Sequence, residues 1–355
     1  MRLVATPDNP VPPGAEVESV QTQDARRLRV ALWRAPPPQS GMDAPVAAPP
    51  DAPLGTVLLC QGRSEFIEKY FETVGELIQR GFAVVTFDWR GQGLSERELS
   101  DPRKGHIDDF ALFERDAAAV LKHMAQAACP RPWYGLAHSM GAAVMLRMAH
   151  AGTLPLQRMV LSAPLIDIAR LRYPRGARAL AELCDISGLG GRFIPGGGPE
   201  SILSKPFKDN VLSSDHRRYA RNAGVAAAAP DLSIGDPSIG WANAAFRQMK
   251  AFEDAEFPRR TLVPTLVVMA GADKVVANRP MERFATRLKA GMLVSIPFSE
   301  HEILMENDEI RSQFWAAFDA FIPGTVAEIS ALERLAGKRP PHAQPAFLKA
   351  GQASP

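Results

Sequence analysis

The sequence predicts an α/β fold in which helices cover both faces of a mainly parallel β-sheet. Continuous apolar runs of strand length, as expected of strands buried on both faces, alternate with segments of helical periodicity up to Pro164. The same alternation resumes at residue 262. We therefore predict one core formed by residues 1–163 and 261–338, with residues 164–260 inserted as a mainly helical cap.

The elements of the first part follow from local patterns. Two opening strands, 16–22 and 28–33, are joined by a polar turn, and residues 35–53, rich in Pro and Ala, predict a flexible surface loop. Apolar runs predict buried strands at 56–60, 82–87 and 158–163, and one leading into Ser139. Apolar residues at helical spacing predict helices at 66–80 and 109–128, and one from near Met140.

The inserted segment has helical pieces, Gly-rich turns and polar loops but no core strand pattern. After it, the sequence predicts strand 262–270, helix 280–290, strand 293–297, helix 309–321, a last helix at 328–338 and a disordered tail at 339–355. Ligands bind at the carboxyl ends of the strands in open α/β sheets. We expect the cap to cover that edge.

The composition narrows the class of protein. A chain of 355 residues with 46% apolar and 23% charged residues is ordinary for a globular protein, and its net charge of +2 gives no support for nucleic-acid binding. Three scattered cysteines argue against structural zinc or a disulfide framework and favour a reducing compartment. With no secretory signal and no apolar run of about 18 to 20 residues, we expect a cytoplasmic protein. Peripheral contact with the inner membrane face, through the cap, stays open.

Ser139 lies at the most informative point of the chain. Residues 133–143 predict a strand, a sharp turn at Ser139 and a helix, with Ala137 and Gly141 two positions to either side. A nucleophile elbow needs this context, because strand and helix can approach each other only where the neighbours of the nucleophile are small. Alanine stands where glycine is commoner. We predict that Ser139 is a nucleophile; the alternative is an ordinary Ser/Gly turn.

A serine hydroxyl needs a base to take its proton and a third group to orient that base. Asp273 and His301 each follow one of the two late strands, so both are expected at the same sheet edge as Ser139. The order Ser, Asp, His is that of α/β-hydrolases. We predict Asp273 as the acid and His301 as the base. Asp167 is the alternative acid, and His138 is expected to pack at the elbow.

An oxyanion formed by attack on an ester needs two backbone donors. We predict the N–H groups of Met140, which follows the nucleophile, and of Arg63, in the loop after strand 56–60. The Arg63 side chain either contacts an anionic head group or pairs with Glu65 or Glu68, and we favour the pairing. The Gly-rich loop 88–95 lacks the residues of a P-loop or dinucleotide site, so we expect it to brace the site edge.

Several stretches have the residues of a known enzyme family at matching places. They are GRSE (62–65), EKY (68–70), FDWRGQGLS (87–95), HSMG (138–141) and SEHEILME (299–306). On these residues the chain resembles the monoacylglycerol lipase and lysophospholipase group of α/β-hydrolases, from about residue 16 to 321. Residues 212–219 and 240–241 resemble the bacterial lysophospholipase branch. Gln61, where monoacylglycerol lipases commonly have His, favours the same branch.

This resemblance implies an α/β-hydrolase fold and a serine hydrolase that cleaves carboxylic esters through an acyl-enzyme, without a metal or organic cofactor. The implied substrate is a small single-chain lipid ester, a lysophospholipid first and a monoacylglycerol second. Residues 202–203 and 241–246 either line an acyl tunnel or pack within the cap.

Other activities stay open on the sequence alone. A monoacylglycerol lipase or general carboxylesterase, a proline-iminopeptidase-like amidase and an acyltransferase would all use the same three side chains. A ligand-binding protein that kept the fold is the non-enzymatic alternative, which the presence of Ser139, Asp273 and His301 opposes. The sequence does not fix the oligomeric state.

Overall fold

A computed structural model describes residues 1–34 and 53–323. The predicted loop 35–53 lies almost entirely outside the described residues, and so do the predicted helix 328–338 and the tail 339–355. The predictions for these segments therefore stay predictions. Within the described ranges no helix is both long and apolar enough to cross a membrane.

An eight-stranded sheet has the order β1-β2-β4-β3-β5-β6-β7-β8. Its strands are β1 Ala15–Gln21, β2 Arg27–Trp33, β3 Thr56–Cys60, β4 Ala83–Phe87, β5 Trp133–His138, β6 Arg158–Ser162, β7 Thr265–Ala270 and β8 Gly291–Ile296. The pairs β1–β2 and β2–β4 are antiparallel and the others are parallel. All residues of β3, β4 and β5 are buried, which requires cover on both faces. The predicted fold class is confirmed.

The helices begin where the sequence supplies a cap or a turn. They are α1 Phe71–Gln79, α2 Phe110–Gln126, α3 Ser139–His150, α4 Pro174–Cys184, α5 His216–Ala228, α6 Ile239–Phe252, α7 Glu256–Arg260, α8 Asn278–Ala285 and α9 Asp308–Phe321. Asp109, Asp215 and Asn307 accept backbone N–H groups in the first turns of α2, α5 and α9. The predicted helix 66–80 is divided, since Ile67–Tyr70 form a 3₁₀ turn before α1.

Helices α4 to α7 lie between β6 and β7, within the segment predicted as the cap. Helix α6 packs onto the core through Trp241, whose ring centroid is 6.0 Å from that of Phe110. A second, smaller apolar cluster joins cap residues to Phe66 of the core; its cap members are Leu203, Tyr219, Val225, Ala229 and Leu232. The boundaries of the cap as a domain of its own stay a prediction.

The loop after β4 is held by buried charges. Asp88 accepts from Arg29 Nε at 2.7 Å and from the Leu94 N–H at 2.7 Å. Gly93 has φ +55°, and a Cβ atom there would lie 2.0 Å from Asp88 Cγ. Glycine is therefore required at this position.

In the loop after β4, Trp89 Nε1 donates to the Gln61 carbonyl at 2.9 Å. Gln92 Nε2 of the same loop donates to the Gly62 carbonyl at 2.8 Å. The loop therefore contacts the chain that follows β3. The predicted role of residues 88–95, bracing the site edge, stays a prediction.

Candidate active site

The turn between β5 and α3 carries Ser139, which is 8% exposed and has φ +47°. This left-handed conformation is costly for a residue other than glycine and is stored at functional sites. A Cβ atom at Gly141 would lie 2.5 Å from the Gln61 carbonyl oxygen and 2.8 Å from that of Cys60. The helix can therefore approach the end of β3 only with glycine at this position.

His301 joins Ser139 to Asp273. His301 Nε2 lies 3.1 Å from Ser139 Oγ, and His301 Nδ1 lies 2.8 Å from Asp273 Oδ2. An ionised carboxylate accepts only, so the hydrogen bond assigns the imidazole proton to Nδ1 and leaves Nε2 free to accept the serine proton. The structure thus brings together the three side chains that the sequence selected.

Asp273 is fixed by its backbone surroundings. Its Oδ1 atom accepts the N–H groups of Val275 at 2.7 Å and Val276 at 2.9 Å. Burial raises the pKa of Asp273, but the hydrogen bond and charge of His301 and the two backbone N–H groups outweigh it and hold that pKa below its ordinary value. Ala272 also donates its N–H to the Ser299 carbonyl at 2.8 Å, which ties the loops after β7 and β8 together. The carboxylate is therefore held ionised toward His301.

Asp167, the alternative acid, lies elsewhere. Its Oδ1 accepts the N–H of Ile168 at 2.9 Å, and the same atom is 3.7 Å from Arg178. It has no contact with His301 among the hydrogen bonds and ion pairs of the described residues. The structure therefore places Asp273, and not Asp167, against His301; the role of Asp273 as the catalytic acid stays a prediction.

The two predicted oxyanion donors line the cavity that contains Ser139 and His301. Met140 lies in the first turn of α3, where backbone N–H groups have no partner within the helix. Arg63 follows β3 in the loop at the same sheet edge, and its neighbour Gly62 donates its N–H to Glu65 Oε2. Their role as oxyanion donors stays a prediction.

The predicted pairing of Arg63 with Glu65 or Glu68 is wrong. Both carboxylates are occupied by other cations: Glu65 by Lys69 and Glu68 by Arg29. Arg63 instead donates to the Ser64 hydroxyl at 2.8 Å and to the Gly235 carbonyl at 2.9 Å. Its guanidinium carbon also lies 5.1 Å from the centroid of the Trp241 ring.

A buried group of charges adjoins the three side chains, and we call Glu65, Lys69 and Glu302 the cavity cluster. Lys69 Nζ donates to Glu65 Oε1 at 2.8 Å and to Glu302 Oε1 at 2.5 Å, and the Tyr70 hydroxyl donates to Glu65 Oε2 at 2.7 Å. Burial raises the pKa of Glu65, but the charges of Lys69 and His138 hold it at about 2. For Glu302, burial outweighs Lys69 and raises the pKa.

Sequence reasoning gave no role to the cavity cluster. Glu65 and Lys69 are four residues apart, the spacing of a helical ion pair, and Glu302 follows the predicted base directly. The spacing could have predicted the pair of Glu65 and Lys69. Only the fold shows that Glu302 binds the same Lys69 ammonium group.

His138 packs at the elbow, as expected, and faces charged groups there. Its ring centroid lies 4.7 Å from that of His301, and its Nε2 atom is 3.8 Å from Glu65 Oε1. Burial lowers the pKa of His138 to about 4, with the charge of Glu65 opposing the shift. His138 is therefore neutral near pH 7.

A cavity of about 300 Å³ opens in front of Ser139. Arg63, Lys69 and Glu302 stand at its polar wall. Its apolar wall comes from the loop after β6, the cap and the loop after β7: Leu165, Ile168, Ile202, Leu203, Leu212, Trp241 and Val275. Among the described residues no group of three or more His, Cys, Asp or Glu could hold a metal ion.

Comparisons with known proteins identify the family of the chain. The family model described as serine aminopeptidase, S33, matches residues 51–308. Lysophospholipase L2 of Escherichia coli K12 is 34% identical over 276 aligned residues, covering 72% of this chain and 76% of that protein. Probable lysophospholipase L2 of Haemophilus influenzae is 25% identical over 266 residues, covering 75% and 83%.

Two solved structures share the fold at low sequence identity. A soluble variant of monoglyceride lipase from Saccharomyces cerevisiae has a TM-score of 0.63 and 16% identity, covering 87% of this chain and 95% of that one. A carboxyl esterase from Bacillus coagulans has a TM-score of 0.68 and 17% identity, covering 88% and 99%.

Proposed function

The chain belongs to the serine aminopeptidase S33 family of α/β-hydrolases, and we propose that it hydrolyses the carboxylic ester of a lysophospholipid through an acyl-enzyme. The observation that carries the proposal is the continuous hydrogen-bonded chain from Ser139 through His301 to Asp273, at the wall of a partly apolar cavity. The lysophospholipase L2 relatives supply the substrate class. We assign Ser139 as nucleophile, His301 as general base and acid, and Asp273 as the orienting acid.

In the first half-reaction, Ser139 Oγ attacks the ester carbonyl carbon while His301 Nε2 takes the hydroxyl proton. Asp273 keeps the proton on Nδ1 and stabilises the imidazolium. The backbone N–H groups of Met140 and Arg63 hold the oxyanion, which carries the negative charge of the tetrahedral intermediate. When the intermediate collapses, the carbon–oxygen bond to the head group breaks and His301 returns the proton to the leaving alcohol.

In the second half-reaction, water attacks the acyl-enzyme and His301 Nε2 takes a proton from it. Collapse of the second tetrahedral intermediate releases the fatty acid and restores the Ser139 hydroxyl. The apolar residues of the cavity wall, Ile202, Leu203 and Trp241 among them, suit the first part of an acyl chain.

We also propose that the cap contacts a lipid surface through α4. None of the residues of α4 is buried. Leu183, in its last turn, is 64% exposed, and Ile186, two residues after its end, is 78% exposed. Exposed arginines stand earlier in the same segment, at positions 170, 172 and 175, just before α4 and in its first turn. Exposed apolar side chains and exposed arginines within one segment suit the interface of an anionic bilayer.

The lipid contact is tested with Leu183→Asp combined with Ile186→Asp. We expect sedimentation with anionic vesicles to fall several-fold in this variant, while cleavage of a short water-soluble ester stays unchanged. Leu262→Asp is the matched control, because Leu262 is 66% exposed but precedes β7 at the opposite sheet edge. Equal sedimentation of all three proteins would remove the proposal.

The function is tested by release of fatty acid from lysophosphatidylcholine and from a monoacylglycerol with the same acyl chain, measured side by side. We expect hydrolysis of the first, and a loss of at least about 10⁴-fold in Ser139→Ala. Asp273→Asn, which disturbs the imidazole tautomer, should lose about 10⁴-fold in kcat. Asp167→Asn is the control and should retain full activity.

The outcomes separate the alternatives. Hydrolysis of monoacylglycerol alone would make the protein a monoacylglycerol lipase. Cleavage of N-terminal prolyl amides in preference to both lipids would make it an amidase, and transfer of the acyl group to an added alcohol rather than water would make it an acyltransferase. Wild-type protein as inactive as Ser139→Ala on every ester would refute the hydrolase proposal.

A further inference from the structure

Arg63 differs from the fully buried arginines of the described chain. Those arginines, at positions 29, 90, 218 and 311, all pair with carboxylates. Arg63 has no carboxylate within ion-pairing distance among the described residues; its acceptors are the Ser64 hydroxyl and the Gly235 carbonyl oxygen. Its Nε atom is buried without a hydrogen-bond partner in that part of the chain. A cation in this position is incompletely neutralised.

Burial disfavours the positive charge of the Arg63 guanidinium. Burial lowers the pKa of Arg63 to about 10, and the negative charge of Asp236 only partly opposes this. Asp236 is itself engaged, since it accepts the Gly198 N–H at 3.0 Å. The carboxylates of Glu65 and Glu302 share Lys69. The nearby acids are therefore committed elsewhere, and a guanidinium without a counterion faces the cavity.

The backbone N–H and the guanidinium of Arg63 lie where they could contact the ester and the phosphate of the same lysophospholipid. Its backbone N–H is assigned to the oxyanion, and its side chain contacts Gly235 and Trp241, which line the same cavity as Ser139. In a lysophospholipid, glycerol separates the scissile ester from the phosphate by about as many covalent bonds as separate an arginine N–H from its guanidinium. A bound ester thus has its phosphate within the range of the Arg63 side chain.

We propose that the Arg63 guanidinium binds the phosphodiester of the substrate head group and thereby selects phosphate-bearing single-chain lipids over neutral ones. The inference rests on the proposed ester hydrolysis at Ser139. A planar guanidinium offers parallel N–H donors that match two phosphate oxygens, and the phosphate supplies the missing negative charge. A neutral glycerol head group supplies hydroxyls alone and leaves the cation as it is.

The test compares kcat/KM for 1-oleoyl-lysophosphatidylcholine and 1-oleoylglycerol in the full-length protein. We expect Arg63→Gln to lower kcat/KM for the phospholipid about 10- to 100-fold, the loss typical of a charged hydrogen-bond partner, with less than about a threefold change for the neutral lipid. Arg63→Lys keeps the charge without the fork and should fall between. Arg97→Gln is the matched control. Like Arg63, Arg97 has no carboxylate partner among the described residues, since it donates to three backbone carbonyl groups, but it lies outside the cavity lining.

An equal loss for both lipids in Arg63→Gln would assign Arg63 a structural role and overturn the inference. So would unchanged selectivity. If wild-type protein cleaves no ester, the proposed function fails, and a binding measurement decides the inference separately. We would titrate an ether analogue of lysophosphatidylcholine, which has no ester, into Ser139→Ala and into Ser139→Ala/Arg63→Gln. Weaker binding by about 10-fold in the double variant supports the role of Arg63, and equal binding refutes it.

Discussion

Two buried charge clusters each contain a glutamate from the segment after β3, and they differ in the groups to which they bond. We call Arg29, Glu68 and Asp88 the rear cluster, in contrast to the cavity cluster of Glu65, Lys69 and Glu302. Glu65 and Glu68 are three residues apart, and both are almost fully buried with a cation. Glu68 faces β2 and the loop after β4, whereas Glu65 faces the cavity.

The partners explain the difference. The rear cluster forms hydrogen bonds with backbone groups of Arg2, Ile67 and Leu94, none of which belongs to the proposed catalytic site. In the cavity cluster, Glu65 holds the Gly62 N–H beside the predicted oxyanion donor, and Glu302 is the chain neighbour of His301. Equal burial and equal chemistry therefore lead to different roles. The first cluster should govern stability and the second should govern catalysis.

The largest effect is expected from Arg29→Met. The substitution leaves Glu68 and Asp88 buried without their cation, which costs about 3–5 kcal/mol of unfolding free energy. We expect this loss in urea denaturation, while kcat per folded molecule stays within about twofold below the unfolding transition. A larger fall in kcat than in stability would show that the rear cluster acts on the site.

His138, on the cavity side, should contribute a pH dependence to the stability of the protein. His138 has a pKa of about 4 in the folded protein, below the ordinary value of about 6.5. Between these two pH values His138 is protonated in the unfolded chain but not in the folded one. The free energy of unfolding therefore decreases as the pH falls. The groups that face His138 are Glu65, Lys69, Asp273 and His301.

We therefore expect wild-type protein to lose about 2–3 kcal/mol of stability from this histidine between pH 6.5 and 4. His138→Gln should lose correspondingly less over that range. Denaturant titrations at several pH values measure this. Parallel curves for wild type and His138→Gln would contradict the expected contribution.

Glu65→Gln tests the catalytic side directly. A neutral amide offers a single acceptor oxygen, so it cannot serve the Gly62 N–H, the Tyr70 hydroxyl and Lys69 together. A loosened oxyanion loop should lower kcat about 10- to 100-fold with little change in KM. Steady-state kinetics on a lipid ester measure both parameters.

The matched control is Glu68→Gln, the same change three residues later in the rear cluster. It should reduce the unfolding free energy while kcat per folded molecule is preserved. If the two variants lose kcat to the same extent, the assignment of catalysis to the cavity cluster and of stability to the rear cluster is wrong.

Much of the fold was predictable because its signals are local. Buried parallel strands such as β3 and β4 appear as unbroken apolar runs, and Asp109 marks the start of α2. The 3₁₀ turn at Ile67–Tyr70 was missed, since the Ile67 N–H bonds to Asp88, a partner distant in sequence. A periodicity argument contains no information about such a partner.

The site divides in the same way. The proximity of Ser139, Asp273 and His301 was predictable because each follows one of the parallel strands, and parallel strands end at one edge of the sheet. The pairing of Arg63 was predicted wrongly, because Glu65 and Glu68 are near it in sequence but turn toward Lys69 and Arg29. Which of several neighbouring charges meet is decided by packing, and local spacing does not encode it.

The smallest effect is expected at Gln92, which links the two clusters. It lies in the loop held by the rear cluster, and its Nε2 donates to the Gly62 carbonyl at 2.8 Å while its Oε1 accepts the Ser64 N–H at 3.3 Å. Gln92→Met keeps the volume and removes these bonds, each contributing about 1 kcal/mol. We expect a two- to tenfold loss of kcat.

A double-mutant cycle with Glu65→Gln then measures the coupling. Both side chains hold the backbone at Gly62, one at its N–H and the other at its carbonyl. Once one of these hydrogen bonds is lost, the loop is already displaced. The second substitution should therefore lower kcat less than it does alone. Coupling of about 0.5 kcal/mol or more in kcat is expected with Glu65→Gln, and none with Glu68→Gln. Additive effects with Glu65→Gln would show that the loop after β4 supports the oxyanion loop independently of the cavity cluster.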